Sequence, residues 1–149
     1  MPRTLVLTLA TALLAATPGL AEMVTKPSAH SVTETADSLA AAVEGAGARL
    51  VARVPHAKAA ASVDLDLPEA ELLIFGNPKV GTPVMQQDLR AGLVLPLRVL
   101  VHADGNGGAA VTYATAETLF DGLSVDPASE AAQRINGALG KLTDAATGE

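Results

Sequence analysis

Three imidazoles are the first side chains with chemistry to offer: His30, His56 and His102. With the thioether of Met85 as a soft partner they would make a copper site, since imidazole and thioether both suit that metal. Their spacing matches no recognised ligand pattern, and a histidine at an element boundary more often satisfies a backbone group, so the expectation is no cofactor, with a metal as the alternative. His56 followed by Asp64 and Asp66 is the corresponding catalytic alternative, an imidazole base with carboxylates in a hydrolase or metal-dependent enzyme. No serine sits in a nucleophile elbow, and neither a P-loop nor a dinucleotide fingerprint occurs.

Anion binding is a second kind of chemistry. Asn77-Pro78 and Thr82-Pro83 each place a capping residue before a proline, so two helix openings fall within six residues, with Lys79 beside them. Unpaired amides and a partial positive charge at such openings suit a small anionic ligand. Glycines and prolines that merely route the chain explain the same residue types. Arg98 and His102 share one side of a strand with Leu100 by period two, while Leu97, Val99 and Val101 share the other. That mixed face lines a cleft, forms a subunit contact or is simply solvated. Candidate ligand residues are therefore Asn77, Lys79, Thr82, Met85 and Arg98.

The elements that must position these groups are legible in pattern. Glu22 to Ala29, interrupted by Pro27, suits an edge strand. Ser31-Val32-Thr33-Glu34 is a capping box, and Val32, Ala36, Leu39, Ala40 and Val43 form one helical stripe, so a helix is predicted over about 32–46. Strands are predicted at Arg49–Pro55 and Ala70–Phe75, with a short helix over 57–62 between them and a loop over 63–68. Two short helices, about 78–80 and 83–90, follow from the two prolines. A strand from Leu93 to His102, a glycine-rich turn over 104–108 and a returning strand at Ala109–Tyr113 make a hairpin. A short helix over 115–121 comes next. Asp126-Pro127 then opens a closing helix with Ala131, Ile135, Ala138 and Leu142 on one stripe, and residues 145–149 are expected to fray.

Composition bounds what such a chain can be. Arg3, the twelve-residue apolar run Leu5–Ala16 and the small residues around Leu20 form a secretory signal pattern, too short for a bilayer-spanning helix of ~20 residues. Cleavage is expected after Ala21, which leaves a periplasmic or secreted protein with no membrane attachment. Cysteine is absent, so disulfides, thiolate metal sites and a lipid anchor at a cleavage-site cysteine are excluded. Of 149 residues, 128 remain after cleavage at that point, one domain of ordinary size. The ten Lys+Arg fall to nine against sixteen Asp+Glu, a net −7. With only Phe75, Tyr113 and Phe120 as aromatics, nucleic acid is excluded as a partner.

The stretch from Glu71 to Gln86, with Leu72-Leu73-Ile74-Phe75-Gly76-Asn77-Pro78 at its centre, and its continuation from Gly92 to Val101 resemble the bacterial family known as domain of unknown function 302. The likeness runs over about residues 23–123, and the closing helix lies outside it. Pro55, Asp88-Leu89 and His102 depart from the family's pattern. The resemblance implies a compact α+β domain, often seen as a pair of subunits, and no assigned reaction. The expected fold is a single sheet of about four to five strands, partly antiparallel, covered by helices on one face. The expected function is a non-enzymatic module that binds a small ligand or a protein, as a homodimer. The alternatives are an enzyme using His56, or a structural or stress-related envelope protein.

Overall fold

The computed structural model describes residues 23–149, so the signal-peptide reading lies outside the described residues. Five strands, β1 (Met23–Ser28), β2 (Arg49–Pro55), β3 (Ala70–Gly76), β4 (Leu97–Ala103) and β5 (Ala109–Ala114), form one sheet in the order β1-β5-β4-β3-β2. All four pairings are antiparallel, where the sequence reading allowed for a partly antiparallel sheet. The first strand closes against the last, so the long helices between and after them can share a single face.

The helices are α1 (Val32–Gly45), α2 (His56–Ala61), α3 (Pro78–Gln87), α4 (Ala116–Leu119) and α5 (Glu130–Thr147), of which α1 and α5 are the long ones. The capping box forms as the sequence predicts. Ser31 Oγ accepts from the Glu34 amide at 3.2 Å while Glu34 Oε2 accepts from the Ser31 amide at 3.0 Å. Val32, Ala36, Leu39 and Val43 of α1 are buried against Leu73, Phe75, Val99, Val101 and Val111 of the sheet and Ile135 and Leu139 of α5. Full burial of each valine, leucine, isoleucine or phenylalanine among them contributes about 1.5–3 kcal/mol, and this one layer of contacts holds the two-layer fold.

Two expectations about α3 and β4 are corrected. Residues 78–87 form one helix with Pro83 inside it, followed by a 3-10 turn over Leu89–Leu93, in place of two helices. Asn77 caps this helix, but Thr82 is an interior residue and not a cap. β4 begins at Leu97, not Leu93, because Gly92 and Pro96 keep the intervening chain out of the ladder. At the C-terminus the cap of α5 is Ser129, whose Oγ accepts from the Ala132 amide, while Asp126 holds only the turn before it. The expected fraying over 145–149 is also corrected: the helix runs to Thr147, with Ala146 and Thr147 buried.

Lys26 of β1 reaches α5, donating to the Gly140 carbonyl at 3.2 Å and pairing with Asp144. Arg53 joins β2 to Asp37 of α1 and Glu71 of β3. The hairpin between β4 and β5 turns on Gly105 and Gly107, both at positive φ, with Asp104 Oδ1 accepting from the Asn106 and Gly108 amides.

Candidate functional site

One end of the sheet, where Arg49, Gly76 and Leu97 are neighbours across β2, β3 and β4, does not close. There α3, the 3-10 turn and α5 stand over a cavity of about 400 Å³. Its inner wall is the buried set Phe75, Leu97, Ile135 and Leu142, and its outer wall includes Val80, Met85 and Leu95. Local sequence makes this gap. The pairing of β2 with β3 shifts register between Leu50 and Ala52, a bulge that leaves Val51 without a partner in the ladder, exposed at the cavity's edge. On the opposite wall, Gly92 lets the chain pass under the Met85 methyl: a Cβ there would sit 3.2 Å from it.

Of the five ligand candidates, the fold brings Asn77, Thr82 and Met85 to this cavity. Asn77 is occupied structurally: its Oδ1 accepts from the Lys79 amide at 3.0 Å and its Nδ2 donates to the Gly47 carbonyl at 3.2 Å. The amides of Val80 and Gly81 both donate to the Asn77 carbonyl, so the opening of α3 carries few unpaired donors. Lys79 instead borders a smaller cleft of about 110 Å³ between α3 and α5, with Glu130 and Arg134. Arg98 lies on the other face of the sheet, where its Nη2 donates to the Leu93 carbonyl at 2.6 Å.

The histidines are not gathered. Among the described residues no group of three or more His, Cys, Asp or Glu is placed to hold a metal. His30 is exposed between β1 and α1, and His56 opens α2. Asp64 and Asp66 lie in the exposed loop after α2, and no hydrogen bond or ion pair joins either to His56 among the described residues. His102 stands half-buried on the sheet face away from α1 and α5. Its Nδ1 lies 3.0 Å from the Ala103 carbonyl, which can only accept, so Nδ1 carries the proton. Nε2 then accepts from Thr112 Oγ1 at 3.0 Å, and Thr112 in turn meets Thr25 Oγ1 at 3.0 Å, a polar ladder across β4, β5 and β1.

Sequence reasoning missed Arg49, Val51, Ile135, Ala138 and Leu142 as cavity residues. The stripe Ile135, Ala138 and Leu142 was visible at helical spacing, but a stripe reads the same whether it meets packed carbon or a gap.

The family described as "Domain of unknown function DUF302" matches residues 24–145, which extends the expected likeness through most of α5. In two curated proteins an 85-residue stretch is 45% identical: "Fluoride-specific ion channel FluC 1" of Brucella suis biovar 1 and of Brucella abortus biovar 1. That stretch is 57% of this chain, which spans about a third of the length of the curated relatives it matches (34% and 32%). Among the described residues no helix is long and apolar enough to cross a membrane. The crystal structure of an uncharacterized conserved protein DUF302 from Bacillus stearothermophilus superposes with a TM-score of 0.75 at 21% identity, covering 83% of this chain and 97% of that one, a likeness of fold.

Proposed function

The chain belongs to the DUF302 family, a domain whose function is not assigned, and from that premise we propose that it is an exported, non-enzymatic module that binds a small ligand in the cavity between α3, α5 and the end of the sheet. One observation carries the reading: an apolar cavity of about 400 Å³, within the ~300–1,000 Å³ of small-molecule sites, walled by Phe75, Leu97, Ile135 and Met85. Among the described residues its lining holds Arg49 as the one charged group and no histidine, carboxylate or cysteine, which supports binding over catalysis. The charged start and short apolar run of the sequence support export.

A second copy of the chain is the protein partner that this reading includes. Leu72 faces Leu100 across β3 and β4, and Ile74 stands beside them on the sheet face away from the long helices, all three half-buried. A matching face on a partner would cover them. Native mass spectrometry of the protein purified from the cells that make it reads both features in one spectrum. The expected species is a dimer that retains a small molecule; a ligand-free monomer overturns the proposal.

A further inference from the structure

We infer that the cavity's ligand is a monoanionic amphiphile, an acyl chain of about eight to twelve carbons whose anionic head meets Arg49, in a site of ordinary small-ligand size. This rests on the reading of the cavity as a ligand site and specifies its occupant. The chemistry of the walls excludes most other classes. Among the described residues Phe75 is the only aromatic ring in the lining, so a planar ligand finds no pair of rings to stack between. Aliphatic side chains make the remainder, and Met85 on the outer wall is the side chain best able to follow an unbranched, flexible chain.

Among the described residues the polar side chains of the lining are Arg49, Asn77 and Thr82. Asn77 is consumed by its bonds to the Lys79 amide and the Gly47 carbonyl. Arg49 is different from every other described arginine. Arg53, Arg90 and Arg134 each grip a carboxylate and Arg98 grips a carbonyl, whereas the Arg49 side chain has no hydrogen-bond or ion-pair partner among the described residues. A guanidinium left unpaired beside an apolar cavity recognises a carboxylate or phosphate oxygen, and it does so in a forked geometry. The chain's net charge, −6 in full and −7 after the expected cleavage, disfavours polyanions, which favours a head with a single charge held locally. A free fatty acid and the tail of an anionic lipid share this chemistry.

Calorimetric titration with sodium octanoate, and with 1-octanol as the neutral comparator, tests the assignment. Octanoate is expected to bind the native protein, to lose about tenfold in affinity in Arg49→Gln, and to shift the Met85 methyl resonance; octanol affinity is expected to be the same in both proteins. The Arg49 side chain is exposed and has no partner among the described residues, so its replacement leaves the fold intact. Equal binding of octanol and octanoate, with Arg49→Gln indifferent, overturns the anionic head while leaving an apolar ligand site standing. Failure of both ligands to bind or to move the Met85 methyl overturns the site itself. Vesicles of phosphatidylcholine with and without phosphatidylglycerol separate the two sources. Sedimentation with the anionic vesicles that weakens in Arg49→Gln assigns a lipid tail, and binding of octanoate alone assigns the free acid.

Discussion

Asp88 is the residue on which most local contacts converge. Its carboxylate accepts from the Arg90 guanidinium at 2.6 Å, from the Arg90 amide at 2.9 Å and from the Ser124 amide at 2.9 Å. These bonds, led by the one from the Arg90 side chain, hold its pKa well below the ordinary 3.8. A depressed carboxylate pKa contributes stability that is present above about pH 4 and is lost as pH falls through the folded value. Protection of the Ser124 amide from hydrogen exchange is therefore expected to hold at pH 5 and to drop in strong acid. In Asp88→Asn it should be low at both pH values, and unchanged protection would refute the linkage. Phe75 belongs to the same scale: it is 1% exposed and serves both the core and the cavity wall. Phe75→Ala is expected to cost about 3–5 kcal/mol in urea denaturation, since the adjoining void gives the site little means to collapse.

Among the elements, α1 was readable from end to end and α3 was not. The capping box needs only four consecutive residues, and nothing distant competes for Ser31 or Glu34. Ser31→Ala should cost about 1 kcal/mol, measured as a shift of the urea midpoint at constant slope. In α3 each proline suggested its own start, but Gln87 and Asp88 are tied to the Asp126 and Ser124 amides, and these contacts hold the chain in a single helix across Pro83. The ties come from residues almost forty positions away, which no local pattern reports. Arg53 links α1, β2 and β3 at the surface, and such exposed pairs contribute little. Arg53→Ala should cost under ~1 kcal/mol at low salt, shrinking further in 0.5 M NaCl; a loss above 2 kcal/mol would contradict this.

For the whole molecule, the decisive feature is that two long helices cover one side of the five-stranded sheet and leave a gap at one end. Ala138 of α5 faces that gap, so a larger side chain there has space to enter. Ala138→Phe is expected to raise stability by about 1 kcal/mol, seen as a Tm higher by roughly 3 °C, while blocking any ligand. A fall of several degrees would mean that the walls are already in contact. The sheet's other face, with Leu72, Ile74 and Leu100, makes the matching prediction for assembly. Ile74→Arg should convert a dimer to a monomer in sedimentation equilibrium with little loss of helix signal, because Ile74 lies outside the core of α1 and α5.

The amino-acid sequence by itself determined most of the elements, among them α1 from cap to stop, the two faces of β4 and the family likeness at Glu71–Gln86, because caps, turns and alternation act over a few residues. It also determined the absence of thiol chemistry and the acidic balance of the chain. Only the tertiary structure decided that Asn77 is spent on Gly47, that Arg98 and Met85 belong to opposite sides of the sheet, and that Arg49 meets α5 across a cavity. An empty volume has no residue of its own. It exists where side chains from β2, α3 and α5 fall short of one another, and periodicity gives which side chains face inward without giving how far apart the walls come to rest.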